Sequence, residues 1–506
     1  MRLPLGISRR EFLYLVGGAA AGAGGLAGGL WLNARAGRSV GSVSLDVNDI
    51  HSKLNPTRVA AIERPDSLEQ LLGIVGRANR EKNKLCIAGS RHAMGGQQFA
   101  DGAVMVDTRG MRDVMDLDTR AGLVRVEAGV EWPDLVEQVA QRQPGVTDYW
   151  TIRCKQTGAD KLTLGGAVAA NAHGRTLKHP PVVADIDELL LVTASGDLVR
   201  CSRTVNPELF RLVCGGYGLF GVVHSVVYRL EKRHKLERVV EVVTSDELMP
   251  AFNRRIDEGF TLGDWQYAID DASDEFLHRG VFSCYKPVPI DTKIAEDQKK
   301  VSDRAWQELV YLAHTDKSRA FKLYADYYLK TSGQIYWSDT SQLGGYDVDY
   351  HLGTDRRLGS KHPGTEMITE INVPRARLAD FLRAAAQGLR KHKASVIYGT
   401  IRLAEKDDWS FLTWAKQSYA CVIFNLHVEH TPEKIAQAAD ALRMLIDLAA
   451  ERSGTYYLTY HRWATKSQVL SCYPQFGEFL AKKEHYDPTG LFQSEWYRHY
   501  RQMFAA

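Results

Sequence analysis

Gly89-Ser90-Arg91-His92-Ala93-Met94-Gly95-Gly96-Gln97 follows a strand-like run, Lys84-Leu85-Cys86-Ile87-Ala88, and is the first of three glycine-rich clusters in the N-terminal half. The second is Thr163-Leu164-Gly165-Gly166-Ala167-Val168-Ala169-Ala170-Asn171-Ala172-His173-Gly174. The third is Gly215-Gly216-Tyr217-Gly218-Leu219-Phe220-Gly221-Val222. Glycine lets successive backbone N–H groups turn toward one centre and lets the chain approach a pyrophosphate closely. No cluster has Walker spacing. The form G-x-G-x-x-G is met at Gly216, Gly218 and Gly221, but it comes late, without an early βαβ unit or an acidic residue suitably downstream. Any one cluster reads equally well as an ordinary turn, so the argument rests on the three in order.

Around these clusters the pattern is mixed. Leu71, Leu72, Ile74 and Val75 have helical spacing within 68–82, and a further helix is expected over 132–143. Strands are expected at 104–107 and 123–127, and as a hairpin of 186–194 with 198–201 around the turn Ser195-Gly196-Asp197. Asn206 is expected to cap a short helix carrying Leu209, Phe210 and Leu212. Beyond 231 the texture changes to long helical, aromatic-rich stretches, the longest being 306–330, alternating with strands at 365–373 and 395–403. A helix follows at 432–452, with Ile435, Ala438, Leu442 and Leu445 on one face. The fold class read from this order is α+β in two domains, 37–231 and 232–506, with the C-terminal segment returning to the first. The turn Asp487-Pro488-Thr489-Gly490-Leu491-Phe492 docks the tail.

The 506 residues are 44% hydrophobic and 25% charged, and 64 Lys+Arg against 61 Asp+Glu leave a net charge of only +3, which gives no reason to expect a nucleic-acid partner. Seven cysteines stand far apart without a C-x-x-C pair, so no zinc or iron–sulfur site is expected and the metal reading is none. Residues 1–36 read as a targeting segment. Ser8-Arg9-Arg10-Glu11-Phe12-Leu13 resembles the twin-arginine export motif, a Gly/Ala-rich apolar run follows, and Ala34-Arg35-Ala36 has the A-x-A form of a cleavage site. The expectation is a periplasmic protein exported already folded by the twin-arginine (Tat) machinery, or one held at the membrane if the signal stays uncleaved.

The same clusters resemble the flavoenzymes of the vanillyl-alcohol oxidase and p-cresol methylhydroxylase (PCMH) type. Arg91 to Gln97 looks like the G-H-S-x-x-G-Q segment of cytokinin dehydrogenases, and Gly89-Ser90-Arg91-His92 resembles the G-x-G-H segment of sugar and aldonolactone oxidases. Thr163 to Gly174 and Asn206 to Val222 also follow the family. The resemblance implies a PCMH-type FAD-binding domain over roughly 55–230. Its cofactor residues are Gly89, Ser90, Arg91, His92, Ala93, Gly95, Gly96 and Gln97 in the first cluster. Thr163, Gly165, Gly166, Ala169, Asn171, His173 and Gly174 follow in the second, and Gly216, Gly218, Gly221 and Val222 in the third. It also implies FAD bonded covalently through His92, the alternative being a His that merely contacts the ring. Two positions depart from the family: Arg91 stands where Gly is usual and Ala93 where Ser is usual. Cys154 is too far from Gly165 and Gly166 for a second tether.

In the second half, Arg402, His427 and Lys466 resemble the polar groups of alditol and aldonolactone oxidases, where an E-x-R element, a strand His and an H-W-G-K element surround the donor alcohol. Arg402 would polarise the substrate oxygen, with Lys466 or His427 assisting deprotonation. Here the Glu of E-x-R is Thr400, and H-W-G-K is stretched to His461-Arg462-Trp463-Ala464-Thr465-Lys466. Bland readings remain open beside these: a satisfied core histidine, a surface ion pair of Arg402 with Asp407 and Asp408, and a core role for the aromatics between Tyr324 and Tyr350. The leading function is oxidation of a CH–OH group in a sugar, aldonolactone or related alcohol, with oxygen or a redox carrier reoxidising the flavin. C–N oxidation and a flavin electron-transfer or binding protein are the alternatives.

Overall fold

The computed structural model describes residues 45–344 and 350–505; the expected export signal and Tyr346 lie outside them. After the short antiparallel pair Leu45–Val47 and Thr57–Val59 come β1 (Ala61–Glu63), α1 (Leu68–Glu81), β2 (Leu85–Ala88) and β3 (Val104–Asp107), and β1, β2 and β3 form a parallel sheet in the order β1-β3-β2. The Ser67 hydroxyl caps α1 by accepting from Gln70 N–H, Lys82 ends it in the left-handed conformation at φ 57°, and Leu71, Ile74, Val75 and Ala78 face inward. The apolar stripe at i, i+3, i+4 and i+7 thus packs where its spacing says it should.

A second sheet joins β4 (Val114–Asp118), β5 (Leu123–Glu127), β6 (Ile186–Val192), β7 (Leu198–Ser202) and β8 (Val222–Arg229) in the order β7-β6-β8-β5-β4. Between β5 and β6 run α2 (Trp132–Gln141) and the short α3 (Leu164–Ala170). The β6–β7 hairpin forms as expected. Asn206 differs. It precedes the helix Pro207–Val213 with φ 47° and no side-chain cap, because its amide donates instead to the Arg200 carbonyl.

Eight further strands make one sheet. They are β9 (Lys235–Thr244), β10 (Leu262–Tyr267), β11 (Arg279–Val288), β12 (Ile335–Trp337), β13 (Gly364–Pro374), β14 (Val396–Ala404), β15 (Tyr419–Glu429) and β16 (Thr455–Tyr456), in the order β12-β9-β11-β10-β14-β15-β13-β16. The helices of this half include α4 (Asp303–Thr315), α5 (Lys317–Leu329), α6 (Leu378–Lys391) and α7 (Pro432–Ala450). The single long helix expected over 306–330 is two, because Asp316 leaves helical geometry at ψ 76° and its carboxylate caps α5 through Arg319 N–H.

The tail returns to the N-terminal sheets. Leu85 N–H donates to the Leu491 carbonyl, and Gln493 N–H donates to that of Leu85. Asp487 organises the turn, accepting from the backbone N–H groups of Leu491 and Phe492 and pairing with Lys483, whose side chain like its own is 1% exposed. Asp487→Ala leaves that ammonium buried and unpaired. Its expected cost is roughly 3–5 kcal/mol, read as a fall in the denaturation midpoint.

Candidate flavin and substrate site

Strand β2 delivers the first glycine cluster into a cavity of about 980 Å³, near the top of the range for ligand sites. Gly89, Ser90, Arg91, His92, Ala93 and Gln97 line it. The N–H groups of Ser90 to Ala93 find no acceptor among the described residues, so this loop offers backbone free to bind an anionic group. A Cβ at Gly89 would stand 2.2 Å from Thr163 Oγ1, which is why the first and second clusters can touch. Arg91 is left-handed at φ 61°, a conformation cheapest for glycine, so the family's usual residue there has a local physical reason.

The second and third clusters line the same cavity through Thr163, Gly165, Gly166, Ala169 and His173, and through Gly218 and Gly221. The N-terminus of α3 is not an anion cradle. Leu164 and Gly165 donate to the Val130 and Ala128 carbonyls, and Gly166 to Thr163 Oγ1. Its glycines serve close packing: a Cβ at Gly165 would lie 2.7 Å from that of Ala128.

Six expected cofactor residues stand behind the wall instead of on it. Gly95 N–H donates to Gln97 Oε1, and Gly96 packs toward Glu495 and Arg462 of the returning tail. Asn171 holds Asp407 and Ser410, Gly174 gives room to Cys154, Gly216 closes on the Leu212 carbonyl, and Val222 belongs to the core under α1. Cys154 itself is buried and off the cavity wall.

His92 is held at both nitrogens. Its Nε2 lies 2.8 Å from the Lys161 carbonyl and its Nδ1 2.8 Å from His51 Nε2. A carbonyl can only accept, so Nε2 carries the proton and Nδ1 keeps the lone pair. Burial pushes His92 down to about 3, with neighbouring His51 adding to the effect. Burial likewise lowers His51 to about 4 and His461 to about 3. All three ordinarily titrate at 6.5, so between there and about 4 the unfolded chain binds protons that the native protein does not. Their stabilisation is complete above pH 6.5 and is lost as pH falls. Moving from about pH 7 to about 4.5 is expected to lower the melting temperature by on the order of 5–10 °C, followed by calorimetry.

The opposite wall is one face of the eight-stranded sheet. Glu370 on β13 faces Ile423 on β15, which faces Thr400 on β14, and residues paired in this way project to the same side. Glu370, Ile423, Asn425 and Arg402 all line the cavity. Glu370 thus places a carboxylate on this face two strands away from Thr400. A glutamate in place of Thr400 would meet Asp264, whose Oδ2 already lies 3.5 Å from Thr400 Oγ1. Glu370 Oε1 is 2.7 Å from His173 Nε2, and both side chains are buried. Among the described residues, Arg402 Nε and Asn425 Oδ1 have no hydrogen-bond partner, an expensive state for buried groups unless a ligand completes them. Burial raises Tyr457 and Tyr460, also on the wall, far above the ordinary phenol range, so they stay protonated and can only hydrogen-bond.

His427 and Lys466 fall elsewhere. His427 lies on the sheet beyond Asn425, against His314 and Glu366. Lys466 opens the helix Lys466–Cys472 and lies over the Phe504 ring, because the stretched 461–466 segment ends in a capped helix start at Thr465. Neither lines the cavity. Glu370 and His51, in contrast, carry no local sequence signal; only strand register and tertiary packing bring them in.

Residues 59–202 match the family described as FAD binding domain. Across 87% of this chain and 95% of its own length, the L-gulono-1,4-lactone dehydrogenase of Mycobacterium tuberculosis is 24% identical. Cytokinin dehydrogenase 8 of Oryza sativa is 33% identical over 33% of each chain. An oxidoreductase of the fasciation locus of Rhodococcoides fascians is 35% identical over 34% of this chain and 39% of its own.

Proposed function

We propose that this chain, which belongs to the FAD-linked oxidoreductases of the vanillyl-alcohol oxidase and p-cresol methylhydroxylase type, oxidises a CH–OH carbon of a sugar, aldonolactone or related alcohol. The observation that carries the reading is the joint placement of Glu370, Arg402 and Asn425 on a wall of the cavity that the glycine clusters open into. Bound FAD supplies the hydride acceptor. The rest is the work of side chains. Arg402 and Asn425 hold the donor oxygen, the guanidinium stabilising the negative charge that grows on it as hydride leaves. Glu370, with His173 at 2.7 Å, takes the hydroxyl proton. The neutral phenols of Tyr457 and Tyr460 present hydrogen bonds to further hydroxyls, which suits a polyhydroxylated donor.

Oxidation of a C–N bond is the second reading, supported by the cytokinin dehydrogenase likeness of the first cluster. Anaerobic mixing of the oxidised protein with aldonolactones, alditols and N6-substituted adenines separates the two: the lactones and alditols are expected to bleach the flavin, and bleaching by the adenines alone would reverse the assignment. Peroxide yield in air distinguishes oxygen from a redox carrier as acceptor. Export belongs to the same proposal, and its expected mark is a mature chain beginning near Gly37, read by intact mass.

A further inference from the structure

A second constellation lies outside the cavity wall, and it contains the histidine displaced from the substrate site. Glu366 on β13 is paired in register with His427 on β15, and His314 reaches them from the last turn of α4. The ligating atoms of these three residues lie within 4.8 Å of one another. Among the described residues, His314 Nε2 and His427 Nδ1 are buried without a hydrogen bond of good geometry. Glu366 is 3% exposed, Tyr350 hydrogen-bonds to it, and among the described residues the basic groups within 4 Å of it are imidazoles: His351 Nδ1 at 2.9 Å and His427 Nδ1 at 3.8 Å. A buried carboxylate gathered with two imidazole nitrogens within 4.8 Å is a shell that a cation would complete.

We propose that His314, His427 and Glu366 bind one divalent transition-metal ion, with His351 orienting the carboxylate from behind. Two imidazole nitrogens and a carboxylate oxygen favour zinc, manganese, iron or cobalt over magnesium or calcium, which prefer all-oxygen shells. Ligands about 2.0–2.2 Å from an ion stand roughly 3–3.5 Å apart, so the three atoms close onto it by side-chain movements of about an ångström. His351 holding Glu366 is the outer-shell contact expected of a metal-binding carboxylate. The strand backbone makes room: a Cβ at Gly364 would stand 2.3 Å from His427 Cε1.

The ion fastens α4 to the sheet. Trp306, Gln307, Val310 and Ala313 of that helix line the cavity. The clamp therefore sets how firmly one wall of the substrate chamber is held, without entering the oxidation itself.

The test uses the flavin-loaded protein without an affinity tag, stripped with a chelator and titrated calorimetrically with zinc, with elemental analysis after dialysis. One zinc per chain and a higher melting temperature are expected. His314→Gln alters a half-buried helical residue, and Gly364→Ala displaces the His427 ring without deleting a ligand; each is expected to weaken binding at least tenfold. Cys421→Ala, in the separate group formed by His173, Glu370 and Cys421, is expected to leave it unchanged. Absence of stoichiometric zinc from the wild type, equal binding by His314→Gln, or magnesium held in preference to zinc would overturn the site.

Discussion

Denaturing the His92→Ala variant is expected to release all of its flavin, while the wild-type chain keeps the flavin through denaturation and shows the added mass. The expectation follows from the imidazole's position. His92 stands in the loop between β2 and Gly95, on the cavity wall, beside the free N–H groups of Ser90 to Ala93. Burial keeps it neutral, and the Lys161 carbonyl fixes its proton on Nε2, so Nδ1 is the nucleophilic lone pair. His51 Nε2 occupies that lone pair at 2.8 Å and must turn aside when the bond forms. His51→Ala is accordingly expected to remain covalently flavinylated. A bond to the ring also raises its potential, so His92→Ala, reloaded with free FAD, is expected to reduce more slowly with the same donor. Flavin retained by the denatured variant would remove His92 from this role.

What could be read from the chain alone followed the range of the interactions involved. Helices such as α1 and strands such as β6 and β7 are decided by neighbours a few residues apart, and their boundaries came out within a residue or two. The glycine clusters were legible because close backbone approach demands glycine wherever it occurs. Their separate jobs were not: Gly89 and Gly218 face the cavity, whereas Gly174 and Gly216 make room for protein atoms. That difference depends on what packs opposite, a tertiary fact. Asp316 shows the local limit, since an acidic residue inside a helical pattern gives no sign that its ψ will turn to 76°.

The substrate half was harder for the same reason. Lys466 resembles the lysine of an H-W-G-K element, but the two added residues carry it onto a helix start over Phe504. His427 shares a strand face with Asn425, yet strand position does not say where the cavity ends. Asn425 lies inside that limit and His427 outside it. Glu370 sits in an unremarkable stretch, Thr369-Glu370-Ile371-Asn372, and becomes visible only through the pairing of Glu370 with Ile423 and of Ile423 with Thr400.

Glu370→Gln is expected to lower the rate of flavin reduction by roughly 10²–10³-fold with little change in donor affinity, since general-base catalysis contributes about that much. The substitution keeps shape and retains an oxygen for the His173 contact, so packing at this buried position is preserved. What it removes is the capacity to take the donor's proton. The acidic limb of the kcat/KM profile is therefore expected to change with it, an effect that a merely structural carboxylate would not produce. Arg402→Lys should behave differently. A lysine keeps the charge but loses the planar fork, so donor binding and rate are expected to fall together. Adding Thr400→Glu to the Glu370→Gln variant is not expected to restore activity, because the new carboxylate would face Asp264 across the 3.5 Å now bridged by the Thr400 hydroxyl. Stopped-flow reduction with the donor found in the anaerobic panel measures all three. An unaltered rate in Glu370→Gln would place the proton acceptor elsewhere on the wall, and rescue by the added Thr400→Glu substitution would show that the carboxylate is not tied to the β13 register.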